Sequence, residues 1–425
     1  MHRITVVGGG FAGLTAAITA AEAGARVTLY EAHRTLGGRA RTTGAPYRAN
    51  EGPHALYSGG PHWGWLKQQG LLGPVAAVPA LESARLRLHH RGALRRTPPL
   101  ALLRLARRPA GQAPVEQDFL SWATSQVGEA GARAAAHYAG VALYHHDPGS
   151  LSAAFVQLRL RRATSLPPEA HFVRGGWGAL VERMAGRAQD LGVRIETGAR
   201  VTELPVARGP VIVATSLEAA RHLLGDSSLH WPSGRTTLVD IALKTRRGDP
   251  WVISDLDAPG WIERFTAQDP TLAPPGEQLV QGQLPVAPDE SEADGVAHAE
   301  RLLDLGFPDW RTRLTWRRSS VAAGRTGAVD PPGTTWRDRP AIRRGDGVFL
   351  AGDRTAAPGM LAEVSFTSAM EAATLALTSS RVDLKQSRGR TVAEGGPADT
   401  TALRGPRGTR PAGPPARQGA NPGIL

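Results

Sequence analysis

The 425-residue chain contains no cysteine. This excludes a redox-active disulfide, zinc held by thiolates and iron–sulfur clusters ligated by cysteine. Lysine is nearly absent too, since the only lysines are Lys67, Lys244 and Lys385, and arginine carries almost all of the positive charge. No apolar run approaches the ~20 residues that a membrane-spanning helix needs. The chain enters a predicted strand within its first residues, which leaves no room for a signal peptide and predicts a cytoplasmic protein.

The thirteen histidines remain as nitrogen ligands for a metal ion. His89–His90 and His145–His146 are adjacent pairs, whereas two ligands on one helix face need a spacing of three or four residues. We therefore predict core or surface histidines and no metal site.

A glycine-rich turn follows the first predicted strand. It places glycine at Gly8, Gly10 and Gly13, and Phe11 and Ala12 begin an alanine-rich helix. In this G-x-G-x-x-G pattern the first glycine permits a tight turn, the second lets the backbone approach a pyrophosphate, and the third lets the helix pack closely on the strand. The positive end of the helix dipole also favours phosphate. The pattern predicts a dinucleotide-binding unit.

An acid ends the second predicted strand. Glu31, followed by Ala32, comes 21 residues after Gly10. From this place a carboxylate accepts hydrogen bonds from ribose hydroxyls. Its charge would repel a 2′-phosphate, so FAD or NAD is favoured over NADP.

Later blocks resemble one superfamily, that of the flavin amine oxidases, phytoene desaturases and protoporphyrinogen oxidases, which are FAD-dependent oxidoreductases. The blocks are Leu36–Thr42, Asn50–Leu56, Val173–Leu180, Gly192–Val201 and Gly347–Ala373. The resemblance implies contacts with FAD from Gly37, Gly38, Arg39, Gly52, Pro53, His54, Val201, Gly352, Asp353, Met360 and Leu361. It assigns no catalytic side chain, because in this family the flavin itself accepts the hydride and the protein mainly shapes the pocket.

The C-terminal block decides between FAD and NAD. In the resembling family an aspartate after Ala-Gly, here Asp353, binds the ribityl chain, and a helix N-terminus faces the flavin pyrimidine. That helix end would stabilise the negative charge that grows there on reduction. An NAD-dependent dehydrogenase would leave this block unexplained, so the predicted cofactor is FAD.

The order of elements and the resemblance imply an α/β protein, with a Rossmann-like FAD-binding domain and an interleaved α+β substrate domain of antiparallel sheet and helices. The FAD-binding domain is predicted in residues 1–75, 171–225 and 326–380, and the substrate domain in residues 76–170 and 226–325. A half-buried strand is predicted over Thr237–Leu243. Further strands are predicted over Trp251–Ser254, Trp261–Phe265 and Gln278–Leu284, and a helix over Ala297–Leu305. Residues 381–425, rich in Gly, Pro, Ser and Arg, are predicted to be a disordered basic tail.

The net charge of +12 has a second concentration outside this tail. Eight arginines lie between Arg85 and Arg108, interleaved with leucines, and Leu100–Arg108 is predicted to be a short helix. One interpretation is peripheral contact with an anionic membrane, with Leu102, Leu103 and Leu105 dipping into lipid. The favoured interpretation is a solvated arginine-rich helix packed on the substrate domain. No nucleic-acid partner is expected.

The predicted function is a desaturase- or dehydrogenase-type FAD oxidoreductase that acts on a small apolar molecule, isoprenoid-like or polycyclic. One alternative is a flavin amine oxidase acting on a small amine. Such enzymes place a lysine near the flavin, but Lys244, the local candidate, is better interpreted as a surface charge at a strand end. The other alternative is an FAD-binding accessory protein without turnover. No second G-x-G-x-x-G occurs, so no NADP domain is predicted.

Overall fold

A computed structural model describes residues 2–52, 55–77, 80–109, 111–204, 209–345 and 347–393. Its strands are β1 (Arg3–Val7), β2 (Arg26–Glu31), β3 (Leu56–Tyr57), β4 (Val75–Ala77), β5 (Arg87–His90), β6 (Ala93–Arg95), β7 (Ala170–Val173), β8 (Arg194–Thr197), β9 (Val211–Val213), β10 (Ser233–Lys244), β11 (Val252–Asp255), β12 (Gly260–Arg264), β13 (Glu277–Pro285), β14 (Leu314–Ala328) and β15 (Val348–Leu350). Its helices are α1 (Phe11–Glu22), α2 (Pro61–Gln68), α3 (Ala80–Ser83), α4 (Leu100–Arg107), α5 (Phe119–Val127), α6 (Glu129–Ala139), α7 (Ala153–Ala163), α8 (Trp177–Asp190), α9 (Leu217–Leu224), α10 (Glu292–Gly306), α11 (Trp310–Arg313) and α12 (Ala362–Ala393).

A five-stranded parallel sheet has the order β15-β9-β1-β2-β8. Its strands are short and rich in valine and isoleucine, as expected for strands covered on both faces. Helix α1 connects β1 to β2, and its buried alanines allow it to lie close against the sheet. Because the strands are parallel, the carboxyl ends of β1, β2 and β15 meet at one edge. This is the Rossmann-like arrangement in which ligands bind at the carboxyl edge of the sheet.

A seven-stranded mixed sheet has the order β14-β10-β13-β12-β11-β5-β6. Its pairs are antiparallel except β5 and β11, which run parallel. Helix α10 covers one face, where Val239, Ile241 and Leu243 pack against it. The other face of β10 carries Thr236 and Leu238, which line a large cavity. The prediction that β10 is half-buried was wrong, because every residue from Thr236 to Leu243 is buried, on both faces of the strand.

The helix predicted over Ala297–Leu305 is α10. It begins earlier, at Glu292, after a capping box formed by Ser291 and Asp294. A further sheet joins β3, β7 and β4. Residues 76–170, the first part of the predicted substrate domain, contain helices α4–α7 and also the hairpin β5–β6. Its turn residues Arg91 and Gly92 both have positive φ, 54° and 69°, which is the backbone of a tight two-residue hairpin turn.

Helix α4 packs on the neighbouring helices α5, α6 and α7. Leu102 and Leu105 are 1 % and 0 % exposed within this helical core. They are therefore not available to lipid, and the predicted set of membrane-inserting leucines was wrong. Arg104 and Arg107 are exposed, as the favoured interpretation of a solvated, packed helix requires.

By contacts the chain divides into two units, Met1–Val382 and Asp383–Leu425. The first contains all three sheets named above, and its predicted division into FAD-binding and substrate domains stays a prediction. Helix α12 extends to Ala393, beyond the predicted start of the tail. The rest of the predicted tail, residues 394–425, lies outside the described residues. Within the described part of the chain, no helix has the length and apolarity to cross a membrane.

Candidate functional site

A cavity of about 910 Å³ lies at the carboxyl edge of the parallel sheet, and its opposite wall is formed by β10, β13 and β14. Its volume is at the upper end of the range for ligand pockets, roughly 300–1,000 Å³. The predicted cofactor residues that line it are Gly8, Gly10, Phe11, Ala12, Glu31, Ala32, Gly37, Gly38, Arg39, Gly52, Val201, Gly352, Asp353 and Leu361. Gly13 and Met360 lie behind the wall, and Pro53 and His54 lie outside the described residues. Segments far apart in sequence therefore converge on one space.

The three glycines of the first turn have different surroundings. Gly8 has φ +108°, and a Cβ there would lie 2.5 Å from the carbonyl oxygen of Ala214. A Cβ on Gly13 would lie 1.8 Å from the Gly8 oxygen, so that α1 can approach β1 only with glycine at this position. A Cβ on Gly10 would meet nothing closer than the Gly37 oxygen at 3.7 Å. The backbone of Gly10 is thus open to a ligand.

The N-terminus of α1 opens on this cavity. Gly10 precedes the helix, no side chain caps it, and its first turn carries no acidic residue. Unpaired N–H groups with the positive end of the helix dipole form an anion site. Together with the open Gly10, this end of the cavity fits a pyrophosphate.

Glu31 lies at the end of β2 and is buried. Its Oε2 accepts a hydrogen bond from Gly9 N at 2.7 Å, and its Oε1 accepts one from His33 N at 2.8 Å. The glycine turn and the strand end therefore fix the carboxylate at the cavity wall. Each carboxylate oxygen retains a second lone pair that can accept a ribose hydroxyl.

Arg39 and Asp353 form an ion pair across the cavity wall. Arg39 comes from the second glycine turn and Asp353 follows β15, and Arg39 Nη1 also donates to the Arg325 carbonyl at 2.8 Å. Burial alone would raise the pKa of Asp353, but the Arg39 guanidinium outweighs burial and holds that pKa below its usual value. Asp353 therefore stays ionised at neutral pH and can accept hydrogen bonds from sugar-alcohol hydroxyls.

Leu361 lies immediately before α12 and has φ +52°. This left-handed backbone costs a residue with a side chain about 1–2 kcal/mol. The turn is anchored by buried Glu363, which accepts Met360 N at 3.1 Å and pairs with Arg162 at 2.7 Å. Met360 itself is 0 % exposed and packs inside, so it supports the wall without forming it. The strained turn directs the N-terminus of α12 at the cavity.

The opposite wall was not anticipated from the sequence. It includes Tyr144, Thr236, Leu238, Gln283, Arg318, Ser320 and Ala322. Several of these residues lie on β14, whose sequence is rich in Arg, Ser, Ala and Gly and gives little strand signal. In contrast, alternation along β10 could have indicated which of its side chains share a face with Thr236 and Leu238.

Two candidates lie away from this cavity. Lys244 is exposed at the end of β10, as its interpretation as a surface charge requires. His89, Asp255 and Asp257 place potential metal-ligating atoms within 4.8 Å of one another. However, the oxygens of Asp255 accept from His89 at 2.8 Å and His298 at 2.8 Å, and those of Asp257 accept from backbone N–H groups. The cluster is a satisfied hydrogen-bond network.

Comparison with known proteins agrees with this geometry. Residues 6–68 match the family model of the NAD(P)-binding Rossmann-like domain. No relative was found among curated proteins. Among solved structures, an oxidoreductase from Methanosarcina mazei is 17 % identical, with a TM-score of 0.66 over 87 % of this chain and 99 % of that one. Cyclohexylamine oxidase from Brevibacterium oxydans is 18 % identical, with a TM-score of 0.66 over 89 % of this chain and 99 % of that one.

UDP-galactopyranose mutase is also similar, at 14 % identity, with a TM-score of 0.66 over 89 % of this chain and 94 % of that one. At such identities the likeness is one of fold. The predicted α/β class, with a Rossmann-like sheet and a separate second sheet, is confirmed. The matching structures include an oxidoreductase and an amine oxidase, and they share the fold that the resemblance implied.

Proposed function

We propose that this protein is an FAD-dependent oxidoreductase. The proposal rests on three features that line one cavity. They are the N-terminus of α1, which suits a pyrophosphate, the Glu31 carboxylate, which suits a ribose, and the Arg39–Asp353 ion pair. When bound, FAD would supply the acceptor for a hydride taken from the substrate. The chain's own residues bind the dinucleotide, orient it and shape the space beside it.

FAD fits better than NAD for a structural reason. Glu31 and Gly10 account for an adenosine diphosphate, which both dinucleotides contain. The cavity also reaches Asp353, Leu361 and the start of α12, with a second wall on β10 and β14. The ionised carboxylate of Asp353 suits the hydroxyls of the ribityl chain. The N-terminus of α12 suits the flavin ring, which gains negative charge on reduction.

The finer proposal is a dehydrogenase or desaturase whose substrate has an apolar, isoprenoid-like or polycyclic body. Tyr144, Leu238 and Trp177 give the cavity apolar surface for such a body. The amine-oxidase alternative is less favoured, because Lys244 is exposed at a strand end and does not line the cavity. An accessory protein without turnover is distinguished by experiment.

The purified protein is expected to be yellow and to release FAD on denaturation, identified by chromatography of the released nucleotide. Isolation of NAD, or failure to take up FAD on reconstitution, would contradict the proposal. Anaerobic bleaching of the flavin by a panel of isoprenoid, polycyclic and amine substrates then separates the enzyme from the accessory protein, since the accessory protein bleaches with none of them.

Replacing Glu31 by alanine is expected to weaken FAD binding by about 10- to 150-fold, because hydrogen bonds to a charged acceptor contribute about 1.5–3 kcal/mol. FAD affinity would be measured by titrating the apoprotein and following flavin fluorescence. Glu196→Ala is the matched control, since Glu196 lies beside Tyr30 on the adjacent strand β8. Equal FAD affinity in the two variants would show that Glu31 does not bind FAD.

A further inference from the structure

A polar row crosses the cavity-facing side of the mixed sheet. Arg318 on β14 lies opposite Asp240 on β10, Asp240 lies opposite Gln281 on β13, and Gln281 lies opposite Glu263 on β12. The adjacent row contains Ser320, Leu238 and Gln283, all of which line the cavity. Of the polar row, only Arg318 is part of the cavity wall; the other three side chains are buried behind it.

Asp240 fixes one edge of the Arg318 guanidinium. Its Oδ2 accepts Arg318 Nε at 2.9 Å and Nη2 at 2.5 Å, and its Oδ1 accepts Gln281 Nε2 at 2.7 Å. The remaining nitrogen, Nη1, lies 3.6 Å from Glu51 Oε1, which is too long for a hydrogen bond. The Arg318 side chain is 26 % exposed. The N–H groups that Asp240 does not bind are therefore held in a fixed position at the cavity wall, beside Glu51.

The buried carboxyl groups of Asp240 and Glu263 lie behind Arg318 and do not compete with a ligand in the cavity for its remaining N–H groups. Burial raises the pKa of Asp240 above its usual value even though Arg318 acts in the opposite direction. Burial also raises the pKa of Glu263 to about 8, so that Glu263 is neutral at pH 7. A buried ion pair contributes little net stability, because desolvation offsets the attraction. Positioning the guanidinium is the better explanation of why Asp240 lies in this sheet.

The arrangement of N–H donors, and not the net charge, favours a carboxylate ligand, since Arg41 and Arg318 are balanced by Glu51 and Asp240. Arg41 Nε contacts Glu51 Oε2 at 3.1 Å, and both residues line the cavity. Glu51 thus lies between two guanidinium groups, and Asp240 is already paired. An ammonium group would meet arginine N–H donors here, whereas a carboxylate would find the planar, forked donor geometry that it pairs with best.

We propose that Arg318 is a specificity-determining residue that binds a carboxylate of the substrate, and that Asp240 positions it. The inference rests on the proposed function, since it places the substrate between the cofactor and the wall formed by β10 and β14. The substrate class thereby becomes an apolar body with an acidic group.

The test uses the full FAD-loaded chain and two pairs of probes, benzoate against benzamide and 2-naphthoate against its amide. Binding is followed by the change in flavin absorbance. In the wild type each carboxylate is expected to bind more tightly than its amide, and Arg318→Gln is expected to weaken carboxylate binding about tenfold or more, with little change for the amides. Arg318→Lys keeps the positive charge but loses the forked donor geometry. Its affinity for the carboxylates is expected to lie between those of the wild type and Arg318→Gln.

Arg317→Gln is the matched control. Arg317 is the neighbour of Arg318 on β14 and pairs with Glu300 of α10 at 2.8 Å, on the other face of the sheet. The double variant Asp240→Asn/Arg318→Gln removes both charges, so it tests carboxylate binding without leaving a buried unpaired acid. FAD content is measured in every variant.

Failure of the wild type to bind FAD would contradict the proposed function. With FAD bound, equal affinity for carboxylate and amide, or equal loss in Arg317→Gln and Arg318→Gln, would overturn the role of Arg318 and leave the FAD assignment standing.

Discussion

Gly13→Ala is expected to destabilise the protein by about 3 kcal/mol and to abolish FAD binding. The added Cβ would lie 1.8 Å from the backbone oxygen of Gly8. That oxygen belongs to the turn itself and cannot rotate away as a side chain would, so α1 must move off the sheet that it packs against. Urea unfolding of the apoprotein measures the loss of stability, and FAD titration measures the loss of binding.

Two other glycines serve as controls. A Cβ on Gly186, within α8, would meet nothing within 4 Å, so Gly186→Ala is expected to stabilise the protein by roughly 0.5–1 kcal/mol. Gly10→Ala is expected to fold as the wild type but to lose FAD, because its Cβ would point into the open cavity. If Gly13→Ala unfolds at the same urea concentration as the wild type, close packing at this glycine is not a determinant of the fold.

The predictable part of the site consists of residues with a local mechanical role. Gly8, Gly13 and Glu31 are recognisable because a turn, a close helix–strand contact and a strand end each require one residue type at a fixed spacing. Such signals depend on neighbours in sequence, so one chain suffices to read them. Asp353 was found differently, from the resemblance of the Ala-Gly-Asp segment after β15 to the C-terminal block of the superfamily.

The opposite wall could not be predicted, because it depends on pairing between distant segments. Arg318 and Ser320 lie on β14, whose composition is not that of a strand and which is held in place by pairing with β10 along most of its length.

Helix α4 illustrates a different limit of prediction from sequence. The pattern of Leu102 and Leu105 is the same for a helix on lipid as for one on protein, and only the presence of α5–α7 decides between them.

Asp255→Ala is expected to destabilise the protein by about 3 kcal/mol, because it leaves buried donors unsatisfied. Asp255 ends β11 and is 3 % exposed. One carboxylate oxygen accepts His89 Nδ1 at 2.8 Å and the backbone N–H of Asp257 at 2.9 Å, and the other accepts His298 Nε2 at 2.8 Å. The residue thus joins the β5–β6 hairpin and α10 to β11, and its loss removes contacts to both of these elements. Thermal and urea unfolding at pH 7 measure the effect.

The pKa of Asp255 determines how this loss of stability depends on pH. Burial would raise the pKa of Asp255, but the hydrogen bonds from His298 and His89 outweigh burial and hold the pKa below its usual value. A carboxyl whose pKa is lower in the folded state stabilises the protein above its unfolded pKa of about 4, and that contribution is lost as the pH falls through the folded pKa. The difference between wild type and Asp255→Ala should therefore be the same at pH 7 and pH 8 and should shrink below about pH 4. Asp289→Ala, at an exposed position, is the control and should be neutral throughout. A difference that grows as the pH falls below 4 would contradict the assignment of Asp255 as an ionised acceptor.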